Sequence, residues 1–294
     1  MSVENIARPR KSAQDMNGGC FCVTVDREAL FRALGSETGD PAFWIAVAET
    51  HPHLFSNVSV FVASDELSRM LAIVAAIEQV AKLPEYRGAV LSWSPSIAAC
   101  DPGPLGAMMG YDFHLEDDGP KLIEVNTNAG GAFLNMYLAS AQAACCAEAR
   151  RTPSIATTRS LGPAFVEMFE AEWSRQRGHG RPGRIAIVDD SPSEQYLYSE
   201  FVLAKHLFQD HGLEAVIANA HDLRYDDHRL WLGDQRIDLV YNRLVELSAG
   251  GAQPCRAPGG VSRERDRRDA QPADPRPLRR QAKPDVAFRP QKIG

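Results

Sequence analysis

Apolar residues recur along this chain with two periods, and the changes of period mark its elements. Over 26–50, Leu30, Phe31 and Leu34, then Phe43, Trp44 and Val47, follow helical spacing. The clearest helix is predicted over 65–82. There Leu67, Met70, Leu71, Val74, Ile77 and Val80 repeat behind Asp65, an N-cap candidate, and the stripe is expected to pack into the core. Residues 88–98 read as extended. YDFHL at 111–115 then alternates, residues 116–120 (EDDGP) supply turn chemistry, and 121–125 returns, which predicts a β-hairpin. Helical patterning resumes after Gly130-Gly131 toward Glu148, and again over about 159–176.

From Arg184 the texture becomes that of a parallel α/β unit. RIAIV at 184–188 reads as a buried strand, with a helix over about 193–211, Ser193 as N-cap and Gly212 as its C-cap. Strands follow at 214–217 and 237–241, with a hairpin arm from Leu230 around Gly233-Asp234. Short strand–helix–strand connections imply a parallel sheet whose ligand edge lies at the strand C-termini, here 189–195 and Asn242-Arg243.

The chain has 294 residues, 44% hydrophobic and 24% charged, enough to bury a sizeable core. The expected organisation is a mobile leader over 1–20, a first domain over 21–176, a linker, a Rossmann-like domain over 182–247, and a disordered tail over 248–294. The tail holds 11 Lys+Arg and 5 Asp+Glu, leaving 21 basic and 33 acidic residues in 1–247. Its seven prolines and single aromatic, Phe288, cannot support a packed core. The net charge of −6 argues against a nucleic-acid partner. No apolar run is long enough for a membrane span, and the start lacks a secretory pattern, so the expected location is the cytoplasm. The six cysteines fit no zinc or C-x-x-C spacing, and adjacent Cys145 and Cys146 read as ordinary thiols. His51 and His53 read as a solvated turn.

Chemistry concentrates in KLIEVNTNAGGAF, residues 121–133. Alternation puts Ile123 and Val125 on one face and Leu122, Glu124 and Asn126 on the other. Glu124 and Asn126 thereby offer two hard oxygen donors of the kind that hold magnesium beside a phosphate. Gly130 and Gly131 follow, where a backbone can approach a ligand closely.

LIEVNTNAGG resembles the E-[IV]-N-T motif of eukaryotic-type glutathione synthetases, members of the circularly permuted ATP-grasp ligases. The similarity covers about 50–247. It implies an α/β fold with a partial ATP-grasp-like domain before the Rossmann-like one, and an ATP-dependent carboxylate–amine ligation. ATP and Mg2+ are the implied cofactors. Glu124 would contact the nucleotide and hold the metal with Asn126. Asp112, Asn128, Gly130, Gly131, Asp190, Gln195 and Arg243 would bind substrate, with Arg243 also catalytic. Implied partners are a small carboxylate and an amine, and a homodimer is compatible with the family.

In that family the nucleotide-gripping lysines, a second magnesium Glu and a glycine-rich lid follow the substrate domain, where this chain has its basic tail. The activity is therefore expected to be impaired, and the tail is read as an out-of-frame translation beginning past Glu246. Two other readings stand beside the ligase: an inactive fragment that retains small-molecule binding, and a Rossmann-like nucleotide- or sugar-binding protein unrelated to ligases.

Overall fold

The fold is known from a computed structural model, which describes residues 13–18, 23–56, 60–101, 103–144 and 161–244. Cys145, Cys146, the 248–294 tail and most of the 1–20 leader lie outside them. After a helical stretch over 13–18 comes strand β1 (Val23–Val25), followed by helices α1 (Arg27–Thr38) and α2 (Pro41–Thr50). Asp26 caps α1 by accepting from the Ala29 N–H at 2.9 Å. Asp40 caps α2 through Phe43 at 3.0 Å, with Pro41 in its first turn. Between them Gly39 takes φ 69°, the left-handed turn that ends α1. Trp44 is fully buried, and its Nε1–H donates to Thr38 Oγ1 at 2.8 Å.

Next come α3 (Ser64–Lys82), α4 (Pro84–Leu91), and the hairpin β2 (Gly110–Glu116) and β3 (Gly119–Asn126). Helix α5 (Ala132–Ala141) follows, then β4 (Gln142–Ala144), which pairs antiparallel with β1. After α6 (Leu161–Arg177) the parallel unit begins: β5 (Arg184–Asp189), α7 (Tyr198–Asp210) and β6 (Glu214–Asn219). The meander β7 (Leu223–Asp226), β8 (Arg229–Leu232) and β9 (Gln235–Ile237) leads into β10 (Leu239–Asn242).

The mixed α/β class is as expected, and the sheet order β10-β5-β6 explains its core. Central β5 pairs in parallel on both sides and has a hydrophobic cluster on each face, and its sequence is apolar from Ile185 to Val188. Ile185 and Ile187 face a large cluster containing Leu30, Leu34, Trp44, Phe133, Phe169, Phe201 and Phe208. Ala186 and Val188 face a smaller cluster with Ile237, Leu223, Leu230 and Leu232 of the meander. The larger cluster draws on residues from both sides of 177–183, and all described residues belong to one compact unit. Cys100 is disulfide-bonded, which its spacing does not announce.

Several elements differ from the sequence expectation. The stretch 88–98 is not extended. Pro84 and Glu85 start α4, and a short 3-10 turn follows over Ser96–Ala99. Helix α3 forms where the stripe predicts it, but Ala63 rather than Asp65 is its N-cap, with Asp65 in the first turn; only Glu66 on it is buried, while Leu67 and Leu71 are 50% and 59% exposed. It lies against the hairpin, a single thin layer, so its apolar stripe has less to pack on than its length requires. Helix α7 begins at Tyr198, because Ser191 turns into the left-handed region (φ 44°) and Pro192–Glu194 forms a 3-10 turn instead. The strand read as 237–241 divides at Asp238. That carboxylate accepts from the N–H groups of Gly183 and Arg184 at 2.9 and 3.2 Å, so Ile237 ends the meander and Leu239 starts β10.

Candidate functional site

The hairpin places the first group of candidates. Gly110 pairs with Asn126 and Asp112 with Glu124, but Phe113 then pairs with Leu122. Ile123 is thus an extra residue in a β-bulge, and the bulge switches which side chains share a face. Leu122 turns with Phe113 to the half-buried side, whereas strict alternation kept it with Glu124. Ile123, expected inside, is 54% exposed. On the solvent face Asp112 and Glu124 stand directly across from each other, and both are exposed. Two carboxylates in that relation repel unless a cation lies between them. Asn126 accepts from the Asn128 N–H through Oδ1 at 3.0 Å, which starts the turn out of β3.

That turn is held from the far side of the fold. Arg243, just past β10, is 7% exposed. Its Nη1 donates to Asn128 O at 3.1 Å, Asn128 Oδ1 at 2.8 Å and Ala129 O at 2.9 Å. A Cβ on Gly130 would sit 2.6 Å from Leu197 Cδ1 and 2.8 Å from Arg243 Nη2, so glycine is what lets the guanidinium lie on the backbone. Gly131 adopts φ 87°, the left-handed region that glycine tolerates.

Helix α5 starts directly after these glycines, and its first N–H groups point at Glu200. Glu200 on α7 is fully buried and accepts from Phe133 N at 3.2 Å and Leu134 N at 3.0 Å. Burial pushes its carboxyl above the usual range. The Leu134 and Phe133 N–H groups and the Arg243 charge pull the other way without cancelling the shift. Asp189, at the end of β5, is also raised by burial, opposed by the Asp190 N–H and by Arg243. Arg243 therefore sits between two buried carboxylates and a ring of carbonyls. The Tyr241 hydroxyl beside it is pushed up to about 12, mainly by burial. Neither that hydroxyl nor the Arg243 Nε reaches a full hydrogen bond.

The loop after β5 closes on itself. Gln195 Nε2 donates to the Asp190 carbonyl at 2.6 Å, and the Asp190 carboxylate lies 3.9 Å from His221 Nε2. Asn128, Gly130 and Arg243 thus meet in one place, and Asp112, Glu124 and Asn126 share one hairpin face. Asp190 and Gln195 form a neighbouring loop at the strand ends. Two acids that matter were not singled out from sequence. Glu200 could have been found as a lone charge inside the apolar run 197–204. Glu172, on α6, accepts from Leu105 and Gly106 N–H at 2.5 and 3.1 Å and fixes the 104–108 loop.

A cleft of about 700 Å3 runs beside β10. Its floor is Asp238–Asn242, and its walls come from Pro104, Gly106–Met108, Thr127-Asn128 and the Phe169, Glu172 and Gln176 side of α6. Among the described residues no cluster of three or more His, Cys, Asp or Glu gathers as a metal cage, and no helix is long and apolar enough to cross a membrane. The Asp112, Glu124 and Asn126 donors are all hard oxygens, a set that suits a magnesium ion sharing its shell with phosphates and water. No protein-family model matches the chain, and no curated protein matches it.

Proposed function

We propose that this chain binds a magnesium nucleotide over the solvent face of the β2–β3 hairpin and a small carboxylate at the adjoining 127–131 loop, as an ATP-dependent carboxylate–amine ligase of the ATP-grasp kind does. The observation that carries the reading is the contact between Arg243 and the Asn128-Ala129 backbone across 114 to 115 residues of chain. Two stretches singled out independently in the sequence meet at the strand-end edge where open α/β sheets bind ligands.

In the proposed chemistry a substrate carboxylate oxygen attacks the γ-phosphorus of ATP, and ADP leaves. An amine then displaces phosphate from the acyl phosphate and gives up a proton. Asp112, Glu124 and Asn126 would hold the magnesium, which neutralises phosphate charge when bound. Arg243 has its Nη1 committed to the loop and acts as a positioning residue: it fixes the Asn128 and Ala129 carbonyls and so holds the backbone that would orient a substrate beside Thr127 and Gly130.

Calorimetric titration with Mg–ATP tests the reading. The wild type should bind, and Glu124→Gln should bind at least about tenfold more weakly. The variant should melt at the same temperature or higher, since it removes a like charge facing Asp112. Equal affinity in the two proteins would overturn the proposal. Phosphate release in the presence of candidate acids and amines separates a turning-over ligase from a binding-only fragment.

A further inference from the structure

The hairpin and α3 form an unfinished layer. A two-stranded hairpin is marginal in water, and further strands are what make a sheet independently stable. Among the described residues β2 and β3 pair only with each other, so each has an outer edge. The two edges differ. β3 carries Pro120, Lys121 and the bulge at Ile123, the devices that blunt an edge. β2, Gly110–Glu116, has no proline or lysine, and the extra residue of the bulge is not on it.

Helix α3 packs chiefly over β3, which leaves the same face of β2 partly uncovered. On that face Tyr111 and Phe113 are half-buried and Leu115 is 44% exposed. Glu78 marks the flank of α3 turned toward β2, because its carboxylate accepts from the Tyr111 hydroxyl at 3.4 Å. Helical spacing puts Leu67, Leu71 and Val74 on that flank with Glu78. The open edge of β2 and the exposed leucines of α3 therefore lie side by side.

We infer that two copies of this chain join through this edge, β2 pairing antiparallel with the partner's β2 about a twofold axis. The strand is self-complementary in one of its three central registers. A twofold at Asp112 sets Asp112 against the partner's Asp112, and one at His114 sets Asp112 against the partner's Glu116. A twofold at Phe113 instead sets Asp112 against the partner's His114 and Tyr111 against the partner's Leu115, each twice. Acid then meets imidazole on one face, and apolar meets apolar on the other. The product is a four-stranded sheet with both α3 helices on one side, their Leu67 and Leu71 flanks turned toward each other. The Asp112 and Glu124 faces stay open on the opposite side, and each Asp112 has one carboxylate oxygen for a cation and one for the partner's His114. The pairing does not depend on the nucleotide reading.

Sedimentation equilibrium of the full chain, in EDTA and without nucleotide, tests the inference. The wild type should show twice the chain mass. Leu71→Lys, Asp112→Lys and His114→Asp should each weaken the dimer by about tenfold or more, with unchanged circular dichroism. All three replace exposed side chains. An equimolar mixture of Asp112→Lys and His114→Asp should recover a dimer, because each edge then meets opposite charge at both positions. The inference is overturned if the wild type is monomeric at submillimolar concentration, if Leu71→Lys or His114→Asp dimerises as tightly as the wild type, or if the mixture stays monomeric. A wild type that dimerises but does not bind Mg–ATP would sink the ligase reading and leave the dimer standing.

Discussion

Gly130→Ala is the sharpest perturbation of the loop that carries the proposed chemistry. Gly130 is not in the left-handed region, so its backbone conformation is open to alanine and the cost is purely steric. The new methyl would stand 2.6 Å from Leu197 Cδ1 and 2.8 Å from Arg243 Nη2. Leu197 can yield by leaving its rotamer, at about 1 kcal/mol. Arg243 yields less readily, because its Nη1 is fixed by three acceptors. Weakening one charge-assisted bond costs about 1.5–3 kcal/mol. The expected destabilisation is therefore about 3 kcal/mol. In urea unfolding it should lower the midpoint by about 1 M or more, with the slope unchanged. A loss below about 0.5 kcal/mol would show that the guanidinium does not pin the loop, and the positioning role of Arg243 would fail with it.

Other substitutions test separate parts of the fold. Glu200 has its pKa raised by burial, so the native state holds that proton more tightly than the unfolded chain. Its contribution to stability is greatest below the unfolded value of about 4.3 and is lost as pH rises through the higher folded value. Glu200→Gln should flatten that part of the melting-temperature profile, and a variant with the wild-type slope would contradict the assignment. Thr38→Val should cost about 1–3 kcal/mol by calorimetry, because it strands the buried Trp44 N–H that now donates to Thr38 Oγ1. Gly88→Ala should stabilise by about 0.5–1 kcal/mol in urea melts, since a Cβ there meets nothing within 4 Å and α4 gains a better helix former.

Much of this architecture was legible because its signals are local. The glycine stop at Gly212, the turn before Gly119 and the apolar run of β5 each follow from a few adjacent residues. The misreadings share a non-local cause. The bulge at Ile123 depends on how β2 and β3 pair, and strict alternation cannot foresee it. Asp238 breaks a strand because distant N–H groups at Gly183 and Arg184 claim its carboxylate. The stripe on α3 correctly signals an amphipathic helix, but periodicity states only that a face is apolar, not that this chain covers it. In the site, Asn128, Gly130 and Arg243 were singled out as separate residues, and only the folded chain reveals that they touch. Glu200 went unnoticed because a lone acid in a helix is ordinarily solvated; its partners lie 66 and 67 residues upstream.

The grip of Arg243 on Asn128 also fixes an order of events during synthesis. The hairpin can pair as soon as its own residues leave the ribosome, because Gly110 and Asn126 are close in sequence. The turn beyond it has no such independence. Its carbonyls wait for a guanidinium translated 114 to 115 residues later, which at about 5–20 residues per second is several seconds or more. During that interval the glycines before α5 lack the contact that holds them in the finished fold. The nascent chain should show late protection of the Asn128–Gly131 backbone against protease, appearing only once β10 has emerged and joined β5.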